Sequence, residues 1–298
     1  MPKSNQTWNA QFLAGHPLFA AFEPLARSLR GPSFPSCEQL TALAEQERLR
    51  RAPSAAALRF VPAIKKPRRA KRTRLVLDEL YDGSIHLRRQ VPCLRHSYHD
   101  LFNALAFSAF VRSKRALHAR QFEALRAWVG DAPQLPGRRT REQDALTIFD
   151  EGGVVVLLDS TMMRTWRTSQ ERLPLFAHEP SSGAIPLLFG HALVEHLFEG
   201  HTQIRASAVV IEVAQPLPTI SDILEAADVE LAARISDPSQ FVEPGADAIF
   251  FMDPEQVFLG PAKPSWAAWN PGDREAFSSR YRPFVDAESA PPNAGSAS

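Results

Sequence analysis

Between Tyr98 and Trp128 the chain carries its longest helical signal, and any fold must be built around it. His99, Phe102, Asn103, Ala106 and Phe110 recur at three and four, and Leu117, Phe122, Leu125 and Trp128 continue the stripe beyond an expected break near Ser113. Gly130 supplies the stop. A helix this apolar must be covered by other elements, so its polar residues stand out. Burying a polar group without a partner costs about 1–3 kcal/mol, so His99, Asp100 and Asn103 should be paired or put to use.

The flanking segments give that helix its cover. After Pro17 the set Leu18, Phe19, Phe22, Leu25, Ala26 and Leu29 has helical spacing and ends at Gly31-Pro32. Ser36 and Gln39 form a capping-box pattern ahead of Leu40, Leu43, Ala44 and Leu49. Ala145 to Phe149, then Asp150-Glu151-Gly152-Gly153, then Val154 to Leu158 read as a β-hairpin with the acidic pair in its turn. A helix is expected from Leu187 to Phe198 with Gly200 as its stop, a strand from Ala206 to Val213, and a helix from Ser221 to Ile235. Helices mixed with antiparallel pairing predict an α+β protein, mostly helical with a small antiparallel sheet, in a single compact domain. Residues 1–60 are expected to be a helical segment packing on the core, 61–74 a basic linker, 75–285 the core, and 286–298 a disordered tail.

Composition limits function mainly by exclusion. With 34 basic and 33 acidic side chains there is no global field for nucleic acid or anionic membrane. The run Lys65, Lys66, Arg68, Arg69, Lys71, Arg72 and Arg74 lacks aromatics to stack bases, so it reads as solvated linker and nucleic acid is not an expected partner. No stretch of about 18 apolar residues predicts a membrane span, and the N-terminus lacks a secretory apolar region. Cys37 and Cys93 form no metal-ligand motif, which fits the reducing cytoplasm as the expected location. A phosphate loop, a dinucleotide fingerprint and a Gly-x-Ser-x-Gly elbow are all missing.

Three groups could carry chemistry. His99 and Asn103 share a helical face with Asp100 beside them; the bland alternative is a helix start with Asp100 in its first turn and a core histidine bonded to a backbone carbonyl. His191 and Glu195 are four apart, able to reach one metal ion or to form an intrahelical pair, with His196, Glu199 and His201 nearby. Asp144 precedes the expected hairpin and could face a cleft.

The stretch His99 to Phe110 (HDLFNALAFSAF), with Lys114 and Leu117, resembles the centre of the bacterial Domain of Unknown Function 3025 family. Asp144-Ala145-Leu146-Thr147 leading to Phe149-Asp150-Glu151, then Phe189 to Leu193 with Glu195, resemble its next motifs in order. Leu259-Gly260-Pro261, Trp266, Asn270 and Arg282-Pro283-Phe284 resemble its C-terminal block, so the likeness spans roughly 15–285. His118 stands where the family pattern has asparagine, and Ser278-Ser279 where it has an acidic pair. The resemblance implies no activity and brings no catalytic residues with it.

Two readings follow. In one, His99, His191 and Glu195 bind one divalent ion in a metal-assisted hydrolase, with Asp100 or Asp144 orienting or deprotonating water and Asn103 completing the catalytic group. In the other, the same residues form a buried polar network in a non-catalytic binding or interaction module. Both require the helix of His99 to pack on the helix of His191.

Overall fold

Capping boxes at Ser36 and Thr140 start two of the helices, and Gly130 stops a third, in the computed structural model. It describes residues 6–14, 16–63, 76–130, 132, 135, 138–168, 173–175, 183–201, 204–214, 217–242, 247–253 and 256–261. The helices are α1 (Glu23–Ala26), α2 (Cys37–Arg51), α3 (Tyr81–His86), α4 (Tyr98–Ala109), α5 (Val111–Val129), α6 (Arg141–Gly152), α7 (Ser160–Thr168), α8 (His191–Phe198) and α9 (Ile220–Ser236). The strands are β1 (Arg59–Pro62), β2 (Gln90–Cys93), β3 (Gly153–Leu158), β4 (Leu173–Pro174), β5 (Ala184–Leu188), β6 (Arg205–Glu212), β7 (Asp247–Asp253) and β8 (Gln256–Pro261). All lie in one compact unit, Met1–Pro261. The basic run from Lys65 to Arg74, the expected tail 286–298 and the C-terminal motifs beyond Pro261 lie outside the described residues.

The fold is α+β. Six strands run in the order β4-β8-β7-β6-β3-β5, and β1 pairs with β2 in a separate parallel ribbon. Every pairing in the six-stranded sheet is antiparallel except that of β3 with β6, in which Val156 lies beside Val210. All six residues of β3 are buried, as its central place requires. No helix among the described residues is long and apolar enough to cross a membrane.

The long helical signal becomes two helices, and the break falls at Phe110 (φ −122°, ψ 65°) rather than near Ser113. Two buried charges fix that junction. The Arg51 guanidinium donates to the Ser108 and Ala109 carbonyls at the end of α4. At the start of α5 the Asp228 carboxylate accepts the Arg112 and Ser113 N–H groups at 2.9 and 2.8 Å and the Ser113 hydroxyl at 2.7 Å. A cation on terminal carbonyls and an anion on terminal amides match the dipoles of the two helices. Gly130 (φ 51°) ends α5 as expected.

The expected hairpin is not formed. Residues 145–149 lie in α6, and Asp150 and Glu151 occupy its last turn, not a β-turn. Thr140 and Gln143 make a full capping box, at 3.2 and 2.8 Å, that starts the helix ahead of the apolar run. Ala145, Leu146, Phe149 and Asp150 are then buried on one face while Ile148 stays 45% exposed, a helical period that outweighs the strand-like composition. Asp144, expected just before a strand, lies in the first turn of α6. The helix expected from Leu187 starts later, at His191, because Ala184 to Leu188 pairs with β3.

That arrangement places the next chain segments. The Gly153 carbonyl accepts the Phe189 and Gly190 N–H groups at 3.0 and 2.8 Å, fastening the start of α8 to the end of α6. A Cβ on Gly190 would lie 2.4 Å from the Glu151 carbonyl oxygen, so only glycine permits this approach. Helix α4 packs on α8, α2 and α5, as the two readings require. Cys37 and Cys93 also come within hydrogen-bonding reach of each other, and burial raises both thiol pKa values.

Candidate metal centre

Helix α8 delivers His191 as its first residue, buried beneath the end of α6. Its Nδ1 is 3.0 Å from the Asp150 backbone carbonyl, which can only accept. The ring proton therefore sits on Nδ1, and Nε2 presents a lone pair. Burial, then the nearby Lys114 charge, pushes the imidazole pKa down to about 3, so His191 is neutral at physiological pH.

His99 reaches the same point from the first turn of α4. Its Nδ1 lies 2.9 Å from Glu195 Oε2, and its Nε2 lies 3.1 Å from His191 Nε2. Burial opposes its charged form, but the Glu195 hydrogen bond and the charges of Glu151, Glu195 and Asp100 outweigh it, leaving the His99 pKa above the ordinary histidine value. Glu151 completes the group, with Oε2 3.4 Å from His191 Nε2. Its side chain is 46% exposed, so the cluster opens to solvent there. Burial of its carboxyl end, then the Asp150 charge, raises its pKa.

One donor atom from each of His99, Glu151 and His191 lies within 4.8 Å of the others. Ligands about 2.0–2.1 Å from one ion are roughly 3.0 Å apart at a right angle and roughly 3.4 Å apart at a tetrahedral angle. The observed 3.1 and 3.4 Å separations fall in that range. Each histidine has its other nitrogen engaged, one by a carboxylate and one by a backbone carbonyl, the outer arrangement typical of metal-binding imidazoles.

Behind this cluster lies a buried polar layer. Lys114, with no exposed side-chain surface, places Nζ 2.5 Å from Asp150 Oδ1 and about equally far from the Phe107 and Phe189 rings, at 5.0 and 5.2 Å. Burial works against the Asp150 anion, but the Lys114 charge foremost, then His118 and His191, holds its carboxyl well below the usual carboxylate range. His118 pairs with Asp82 at 2.9 Å and stacks on Phe107. The Asn103 amide donates to the Tyr81 hydroxyl at 2.8 Å.

The family's sequence profile matches residues 69–246, a span that holds every residue of the cluster. The chain belongs to the family of proteins of unknown function, DUF3025. No curated protein and no solved structure matches it. The DUF3025 match stops short of the motifs from Leu259 to Phe284 that resemble the family's C-terminal block.

Within the DUF3025 region, the structure brings together His99, His191 and Glu195 from among the residues singled out in the sequence. Glu195 bonds Nδ1 of His99, on the far side of the ring from the converging Nε2 atoms. Asp100 turns instead to the loop before α4, accepting the Leu94 N–H at 2.9 Å, and burial raises its pKa. Asn103 belongs to the layer behind. Asp144 lies about 10 Å along α6 from Glu151, given 1.5 Å per residue. His201 pairs with Glu199 at 3.3 Å, apart from the cluster. Glu151, which joins the cluster, and Asp150, Lys114, His118 and Tyr81, which back it, are not among the site candidates the sequence offers. The Thr140-Gln143 capping pattern would have turned the supposed hairpin into a helix and put Glu151 at its inner end.

Proposed function

We propose that His99 Nε2, His191 Nε2 and the Glu151 carboxylate hold one divalent transition-metal ion, and that the protein is a metal-assisted hydrolase. The observation that carries this reading is the pair of Nε2 atoms 3.1 Å apart with both Nδ1 atoms already engaged. Two neutral rings so held would oppose lone pair to lone pair, and a cation between them removes the repulsion. Two imidazoles and one carboxylate would suit zinc or a similar ion, and the exposed Glu151 edge would give water and substrate access to it. Such an ion supplies water activation, lowering the pKa of a bound water to about 7. Glu195 and the Asp150 carbonyl then orient the two rings, and the Lys114–Asp150 pair holds the end of α6 that carries Glu151. In this reading Asp100, which accepts the Leu94 N–H, and Asp144, about two turns along α6 from Glu151, take no part in the chemistry.

A second reading keeps the non-catalytic module. The raised pKa of His99 favours it, because an imidazolium there would donate to both Glu195 and His191 with a proton in place of the ion. The reduced thiols of Cys37 and Cys93 suit the cytoplasm under either reading. Screening metal-loaded protein against simple esters, phosphoesters and amides tests the hydrolase. Turnover that disappears on chelation and in Glu151→Gln supports it, whereas a loaded protein that turns over none of the three classes contradicts it.

A further inference from the structure

A second concave site lies outside the histidine cluster. Helix α2 and the β1–β2 ribbon border an open pocket of about 360 Å³ lined by Thr41, Glu45, Leu58, Arg59, Arg88 and Arg89. That volume is at the small end of the roughly 300–1,000 Å³ typical of small-molecule sites. The backbone holds Arg59 beside Arg89, the Arg59 N–H donating to the Arg89 carbonyl at 3.0 Å.

The charges around the pocket are unbalanced. Glu45 is taken up by a two-pronged bond from Arg48, 2.7 Å on each prong, and Asp78 by Arg88 at 2.6 Å. Arg115 donates to the Val111 and Ala56 carbonyls, and its buried Nε has no partner. Among the described residues, Arg59, Arg89 and Arg115 have no carboxylate within ion-pair distance. Burial, then the charges of Arg89 and Arg48, pushes the Arg115 pKa down to about 10 against the opposing charges of Asp228 and Glu45. Arg89 also sits at φ 58°, a strained conformation for a side chain other than glycine. Arg59 and Arg89 thus bring two guanidinium groups without carboxylate partners to one pocket, which suits a bound anion.

We propose that this pocket binds a small ligand through a phosphate group. The Arg59 and Arg89 guanidinium groups of the lining, neither held by a carboxylate, match the several oxygens and multiple charge of a phosphate or diphosphate better than the single charge of a carboxylate. Glu45 does not oppose the ligand because Arg48 already neutralises it.

Calorimetry on the full chain tests the site, using inorganic phosphate and pyrophosphate at fixed ionic strength with a chelator present, so that the histidine cluster cannot contribute. Saturable one-to-one binding is expected, tighter for pyrophosphate, unaffected by matched acetate, and weakened at least about tenfold in the double variant Arg59→Gln/Arg89→Gln. Should that variant unfold, Arg59→Gln alone and Arg89→Asn, which tolerates positive φ, replace it. Three results would overturn the proposal: no saturable binding, equal binding by these variants, or binding of a short RNA that pyrophosphate does not displace.

Discussion

Replacing Lys114 with methionine probes the layer behind the cluster. The change keeps much of the apolar stem between Phe107 and Phe189 and removes the charge 2.5 Å from Asp150. Asp150 is only 8% exposed, so its carboxylate cannot turn to water for compensation. Breaking a buried pair from one side costs about 3–5 kcal/mol, and that loss is expected at pH 7.5. The pH dependence gives a second reading of the same event. In the wild type the Asp150 pKa lies below its unfolded value of about 3.9, so its contribution is present above that pH and fades as pH falls through the folded pKa. In Lys114→Met the chief cause of the depression is gone while burial remains, so the folded pKa rises above the unfolded one. The variant's deficit should then be largest near neutrality and shrink toward about pH 5. Urea denaturation followed by circular dichroism at both pH values measures this. Adding Asp150→Asn should recover part of the loss, because no buried charge is left unpaired. A deficit under about 1 kcal/mol, or one unchanged between the two pH values, would refute the reasoning.

Three further outcomes are expected. Glu195→Gln should weaken metal binding about 10–100-fold with little loss of stability, as for groups that orient a metal-bound histidine, whereas Glu151→Gln removes a ligand; metal titrations that rank Glu195→Gln as the more damaging change would reverse the two roles. His191→Asn can keep the bond to the Asp150 carbonyl but cannot titrate. In the metal-free wild type the unfolded chain takes up a proton below about pH 6.5 that folded His191 refuses until about pH 3, so acidification from pH 7.5 to 5 costs about 2 kcal/mol that the variant should not show. Equal slopes in the two denaturation series would remove His191 from that account. Gly190→Ala drives a Cβ to 2.4 Å from both the Glu151 carbonyl oxygen and the Gly153 nitrogen; a loss of about 1–3 kcal/mol is expected in thermal or urea melts, and an unchanged melt would mean that the α6–α8 contact is looser than described.

What could be read from the sequence follows the local signals. Ser36 with Gln39, the stripe from Phe102 to Trp128 and the glycine at 130 gave α2, α4 and α5, since capping and periodicity act within a few residues. The position of the kink was not readable, because it depends on Arg51 and Asp228, which lie 58 and 115 residues from their respective partners Ala109 and Ser113. The supposed hairpin failed for a related reason: Leu146, Thr147, Ile148 and Phe149 have strand composition, and the capping box that begins six residues earlier decided the matter. His99, His191 and Glu195 could be picked out because polar residues on apolar helices are costly unless used. That Glu195 bonds the outer nitrogen of His99 while Glu151 faces the inner ones follows from the meeting of α4, α6 and α8, which no local spacing encodes.

The metal content of protein purified without a histidine tag tests the central claim most directly. After incubation with zinc and removal of excess, elemental analysis should find about one ion per chain in the wild type and almost none in His99→Ala, His191→Ala or Glu151→Gln. A folded wild type that holds no zinc under those conditions, and no manganese or cobalt after the same treatment with each, would contradict the metal centre and leave the paired histidines as a proton-linked network.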